Sequence, residues 1–381
     1  MKWSKDQENA IKARNCNLLV SAAAGSGKTA VLIERILKQV TDKDNPVDID
    51  SILVVTFTNA AAGEMRARLA RAFEQALKDN PGDKHLIRQI GLVENAQIST
   101  IDSFCIKILK NYYNSINLEP DFRMADEGEL NLIKEDVLQD LIEDKFEEGD
   151  PAFLEFVDSF SPGKGFDTLA SLIFDLHRFS QSKPWPLEWL SECEDVFNVT
   201  SPEEYEKLPL VKSITEYVRN SFLSNCDDYD YILECCNEPL GPVEYIPLIE
   251  SEREQFLAFS KIEKLSDFGK VLPFNFGSLP RSGKADKDIK EEVQKIRNGV
   301  KSRVKDIYEK FGKDLSLQIK ELALCRPMAK VYLDLTREFI ERFQQYKKDK
   351  NIMDFSDGEH YALDILVNRK DGKCFYTEIA D

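Results

Sequence analysis

Metal-binding and membrane signals are scarce in this sequence. The three histidines (His85, His177, His360) lie far apart, and no two of the eight cysteines fall at C-x-x-C spacing, so no metal cluster is legible. The cysteines (16, 105, 193, 226, 235, 236, 325, 374) read as buried free thiols of a reducing compartment. No run of 18 or more apolar residues occurs, and the opening "MKWSKDQENA" is polar. Neither a membrane span nor a secretory signal is therefore expected, and the expected location is cytoplasmic. What is present is an ordinary globular composition: 381 residues, 42% hydrophobic and 31% charged, enough chain for two or three structural units.

The net charge of -17 argues against a simple nucleic-acid binder, but the charge is unevenly placed. Residues 1–118 hold 16 bases and 13 acids, a net +3, which leaves -20 for residues 119–381. Within the acidic part, residues 126–158 carry 13 acids and two lysines, whereas 281–310 carry ten bases and six acids. Such runs ordinarily mark solvated helix faces. For the basic run the sharper reading is a track for phosphates, with Lys284, Lys287 and Lys290 at its start.

Along the chain, "NLLVS" (17–21) reads as a strand ending in a small-residue loop. "KTAVLIERILKQV" (28–40) then reads as a helix, with Val31, Leu32, Ile36 and Val40 at helical spacing. "SILVVT" (51–56) and "AQISTID" (96–102) are further strand candidates, each followed by a helical stretch, from Asn59 to about Lys78 and over "SFCIKILKNYY". This alternation implies a parallel sheet covered on both faces. After about residue 118 the pattern becomes helical. Leu130, Ile133, Val137, Leu141 and Ile142 mark one amphipathic helix, and Val331, Leu335, Phe339, Phe343 and Tyr346 mark another.

The loop "AAAGSGKT" departs from G-x-x-x-x-G-K-[ST] only in having Ala22 at the first position. Its backbone from Ala22, Ala23 and Ala24 through Gly25, Ser26 and Gly27 can turn N–H groups toward phosphates. Lys28 would reach the β and γ oxygens of ATP, and the Thr29 hydroxyl would hold Mg²⁺. A flexible Gly/Ser linker does not explain Lys-Thr at a helix start.

Three further segments carry a family resemblance. "WSKDQENAI" is similar to the Q motif of the superfamily 1 DNA helicases of the UvrD/Rep type, "VVTFTNAAAGEMRARL" (54–69) to their motif Ia, and "ISTIDSFC" (98–105) to the segment after it. Within that superfamily the Ala-rich motif Ia, "NYYNSINLEPDFRMADEGE" (111–129) and "KKDKNIMDFSDGEHYALDIL" (347–366) resemble the AddA-type helicase-nucleases. The resemblance implies that Gln7 reads adenine. It also implies that Phe57 stacks on a base while Thr58, Asn59, Thr100 and Ser103 approach DNA phosphates. Ala60 stands where many members have Lys, and Asp102 where many have His; an acid repels phosphate, so residue 102 stays outside the DNA set. Arg66 and Arg68 are read as exposed helix charges and also left out.

The fold class expected from these readings is α/β. A P-loop RecA-like parallel sheet forms part of a first motor domain (1–120), a large acidic, mostly helical domain is inserted (121–345), and a return segment follows (346–381). Hydrolysis needs a carboxylate pair at the end of a buried strand. Asp126–Glu127 is rejected because Arg123 spoils a strand over "FRMA", and Asp354 and Asp357 because they precede a helix. The chain is accordingly expected to be the N-terminal part of a longer ATP-dependent DNA helicase-nuclease, natural or engineered, without turnover of its own. Its expected partners are single-stranded and duplex-end DNA and, in the parent protein, an AddB-type subunit; no membrane is expected. Two other classes stay open: a complete short P-loop protein that binds DNA or a partner without catalysis, and a P-loop phosphotransferase such as a nucleotide kinase.

Overall fold

The structure is a computed structural model that describes residues 3–23, 25–161, 165–312, 314–370 and 372–380. It is mostly helical with a few short strands. The chain forms two compact units, one of residues 1–133 and 344–381, the other of residues 134–343.

The first unit opens with α1 (Lys5–Lys12), started by a capping box between Ser4 and Gln7, and α2 (Lys28–Val40). Strand β1 (Leu53–Thr56) leads into α3 (Asn59–Asp79), and α4 (Lys84–Leu92) precedes β2 (Gln97–Thr100) and α5 (Ile101–Tyr112). Strands β1 and β2 pair in parallel, Val54 opposite Ile98. Their buried faces pack with Ile36 and Val40 of α2, Leu69 and Phe73 of α3 and Leu86 of α4. The spacing Ala62, Met65, Leu69, Phe73 is the apolar stripe that seats α3.

The expected strand at 17–21 does not form: residues 17–23 have no regular secondary structure, and Leu19 is 94% exposed. A strand exists through its partner, and among the described residues β1 is bonded only to β2. The expected sheet covered on both faces is thus a two-stranded parallel pair. A second departure concerns "FRMA". Arg123–Met124 is β3, paired in parallel with β4 (Ile352–Met353), and Arg123 is accommodated because its exposed guanidinium grips both oxygens of Glu129 at 2.7 Å.

Two long helices cross the unit boundary: α6 (Glu127–Glu148) carries the chain out of the first unit. The second unit holds α7 (Pro151–Phe160), α8 (Asp167–Gln181), α9 (Pro186–Val196), α10 (Pro202–Tyr205), α11 (Pro209–Asn237), α12 (Ile246–Phe259), α13 (Leu265–Val271) and α14 (Lys287–Phe311). Helix α15 (Leu315–Asp349) returns the chain to the first unit. The main core of the second unit forms where α11 presents Val211, Val218, Phe222, Cys226, Tyr229 and Ile232, spaced by three, four or seven residues and so on one helix face, to α12, α13 and α14. A buried ion pair crosses it: Arg297 of α14 donates to Glu252 of α12, which also accepts from the Tyr229 hydroxyl at 2.7 Å and the Gly277 N–H at 3.0 Å. Every oxygen of that carboxylate has a donor, which offsets the cost of burying it.

After β4 the chain forms α16 (Phe355–Leu366) and a hairpin of β5 (Val367–Lys370) and β6 (Lys373–Tyr376). The expected buried thiols are buried at Cys105, Cys226, Cys235 and Cys236, whereas Cys16, Cys325 and Cys374 are exposed and Cys193 is half-buried.

Candidate functional site

The candidate site is built on the loop before α2. Gly25 (φ +79°) and Gly27 (φ +84°) take the left-handed conformation that side chains resist, and their backbone turns Ser26 N–H back onto the Ala23 carbonyl at 3.3 Å. Gly27 is also the N-cap of α2 and supplies no side-chain acceptor. The first-turn N–H groups of α2 are therefore left without a cap, at the positive end of the helix dipole. Ala24 lies outside the described residues.

Lys28 folds back on its own loop: its Nζ donates to the carbonyls of Ala22 at 2.5 Å and Ala23 at 2.9 Å. Both oxygens are weaker partners for an ammonium than a phosphate is. Thr29 is exposed in the first helical turn. The Gln7 amide is occupied as well. Its oxygen accepts from Ser4 N–H at 2.9 Å and its Nε2 donates to the Ser26 carbonyl at 3.2 Å, so α1 is tied directly to the loop. Arg35 of α2 strengthens the tie by donating to the carbonyls of Ala10 and Ala13. This contact to Ser26 was not legible in the sequence.

The second group of candidate residues lies at the carboxyl ends of β1 and β2. Phe57 is fully exposed there. Thr58 caps α3 by accepting from Ala61 N–H at 3.1 Å, and Thr100 caps α5 by accepting from Ser103 N–H at 3.2 Å. Ser103 Oγ reaches Asn59 Oδ1 at 3.5 Å, so the two helix starts stand side by side. Thr100 is only 8% exposed and its hydroxyl donates to Ser103 Oγ at 2.9 Å. Its structural work is the cap; Phe57, Thr58, Asn59 and Ser103 are the residues open toward a ligand.

Arg66 corrects the sequence reading. It is half-buried rather than an exposed helix charge, and its Nη2 donates to the Ile98 carbonyl of β2 at 2.8 Å. Its position between Ala62 and Leu69, on the buried stripe of α3, was the signal that could have found it. Arg68, by contrast, is exposed and pairs with Glu64 one turn away.

The rejected acids have defined partners. Asp126 Oδ1 accepts from Glu129 N–H at 2.9 Å at the start of α6. Asp354 directly follows buried β4, and with Asp357 it forms the capping box of α16 while Lys347 Nζ donates to both, at 2.8 and 2.7 Å. All four carboxylate oxygens are engaged by Lys347 or by the backbone N–H groups of the box. Burial pushes the Asp357 carboxyl above its ordinary range, and Lys347 pulls it back.

The chain matches the UvrD/REP helicase N-terminal domain over residues 3–378. It is 40% identical to an ATP-dependent helicase/nuclease subunit of Lachnoclostridium phytofermentans over 99% of this chain and 28% of that protein. It is also 38% identical to the corresponding protein of Clostridium beijerinckii (97% of this chain, 30% of that protein) and 37% identical to that of Oceanobacillus iheyensis (96% and 30%). The chain thus spans less than a third of the length of these relatives.

Proposed function

Because this chain belongs to the UvrD/REP helicase family, we propose that it supplies the ATP- and single-strand-binding part of an ATP-dependent DNA helicase/nuclease. In the whole protein this part would serve the processing of double-strand breaks for recombinational repair, beside an AddB-type partner in the cytoplasm. In this reading residues 1–120 and 346–381 belong to a first RecA-like motor domain with a parallel sheet, and residues 121–345 are its inserted helical domain.

The observation that carries the nucleotide assignment is the Lys28 ammonium held on the Ala22 and Ala23 carbonyls beside an uncapped helix start. The left-handed glycines, the open N–H groups and the cation together fit a triphosphate with Mg²⁺. Bound ATP supplies the phosphoanhydride whose cleavage drives a motor. Lys28 would exchange its two carbonyls for phosphate oxygens, the Thr29 hydroxyl would hold the metal, and the loop from Ala22 through Gly27 would supply N–H donors. Gln7 releases Ser26 or Ser4 if its amide reads the adenine edge. On the DNA side, Phe57 would offer a stacking face worth roughly 1 to 3 kcal/mol per base, and Thr58, Asn59 and Ser103 would form the polar edge beside it, with the buried Thr100 holding the start of α5 behind them.

Equilibrium titration with a fluorescent ATP analogue and Mg²⁺ tests the site. Lys28→Ala removes charge-assisted contacts worth about 1.5 to 3 kcal/mol, so affinity should fall by roughly tenfold or more. Equal affinity for the two proteins would contradict the assignment.

A further inference from the structure

We propose that the groove between α6 and α8 in the second unit is a docking site for a basic amphipathic helix of a partner protein. The groove has a volume of about 620 Å³. On α6 it is lined by Glu135, Leu138, Gln139, Ile142 and Glu143, and on α8 by Asp167, Ala170, Ser171, Phe174 and Asp175. Each set runs i, i+3, i+4, i+7, i+8, which is one face of a helix over two turns, a length of ~12 Å. Each also has the same order: an acid, an apolar residue, a small or amide side chain, an apolar residue and an acid. Leu138 and Ile142 form a closed floor, and the partly exposed Phe174 and the exposed Phe166 complete an apolar lining.

The charge of the rim selects the occupant. Among the described residues no base lines the groove, and Arg178 beside it pairs with Asp175 at 2.7 Å. Glu135 and Asp167 carry no ion pair among the described residues. Phosphate-rich ligands and anionic lipid surfaces are repelled by such a rim. A metal ion is disfavoured because no group of three or more possible ligands converges among the described residues. A helix with an apolar stripe flanked by Arg or Lys satisfies both parts, its stripe on the floor and its cations on Glu135, Glu143 and Asp167, the rim acids with which Arg178 does not pair. The site is independent of the nucleotide assignment.

The test is fluorescence anisotropy of the 381-residue chain with a labelled synthetic peptide of leucine and arginine, its leucines at i, i+3, i+4 and i+7. A scrambled peptide of the same composition isolates the apolar stripe. Glu135→Lys combined with Glu143→Lys should weaken binding at least tenfold, and so should Ala170→Lys, which fills the half-buried floor. Glu216→Lys combined with Glu254→Lys, exposed on α11 and α12, makes the same charge change elsewhere in the unit and should shift affinity less than threefold. Circular dichroism confirms that each variant keeps its helices, and Ala170→Lys serves if the rim pair does not fold. Equal binding of the scrambled peptide, or equal losses for rim and control pairs, would overturn the proposal by reducing it to attraction toward an acidic surface.

Discussion

Lys347 shows how a single side chain can be more constrained than its sequence context suggests. It is 4% exposed, Asp357 is 5% exposed, and the ammonium is shared between Asp357 and the helix cap Asp354. Removing one member of a buried charge group leaves the others uncompensated, at a cost of about 3 to 5 kcal/mol. Lys347→Met should therefore lower the unfolding free energy by that order in urea denaturation, and a loss under about 1 kcal/mol would contradict the role assigned to it. Arg68→Ala, which breaks an exposed pair with Glu64, should stay within about 0.5 kcal/mol. The sequence showed both as charged residues on helices and could not rank them, because burial depends on which face a helix turns inward. At the loop before α2 the opposite held: the turn at Gly25 and Gly27 and the helix start at Lys28 were legible because the glycine spacing itself creates the turn. The tie from Gln7 to Ser26 was not, since it depends on where α1 packs.

Among elements, helices were read well and strands unevenly: the stretches 51–56 and 96–102 contain β1 and β2, whereas 17–21 and β3 were misread. Helix α3 runs from Asn59 to Asp79, within a residue of expectation, since its stripe is local. Residues 17–21 have a strand's composition but no bonded neighbour, and the two-residue β3 was dismissed because Arg123 looked incompatible with it. Both errors arise because strand formation depends on distant chain. Helix α14 and the segment before it hold the basic run, and the fold removes part of it from solvent. Arg297 is buried on Glu252, and Arg303 pairs with Asp228. Lys287 pairs with Glu291 at 3.4 Å, and Lys290 donates to the Ser282 carbonyl at 3.3 Å, both on flexible stems. If this run tracks DNA phosphates, Lys284→Glu with Lys287→Glu and Lys290→Glu should lower duplex affinity at least tenfold. The slope of log affinity against log salt should also become shallower, by up to about 0.9 per lost contact. Unchanged affinity and slope would remove the run from the DNA track.

At the scale of the whole chain, departure and return are stitched together. The Arg123 N–H donates to the Asn351 carbonyl at 3.0 Å, and Asn351 Nδ2 donates to Asp121 at 2.7 Å. Charge and periodicity change near residue 118, and the resemblance implies an inserted domain over 121–345; the two compact units divide at 133/134 and 343/344, inside α6 and α15. A helix that begins in one unit and ends in the other hides its boundary, because its apolar stripe continues through it.

ATP hydrolysis by the 381-residue chain, with and without single-stranded DNA and beside its Lys28→Ala variant, tests the central claim most directly. Lys28 and Thr29 would bind the triphosphate, but the oxygens of Asp354 and Asp357 are engaged by Lys347 and the α16 cap. The account predicts no turnover by either protein, together with nucleotide binding that weakens in Lys28→Ala. DNA-stimulated turnover that disappears with Lys28 would contradict it, by showing that carboxylates of this chain complete a hydrolytic site.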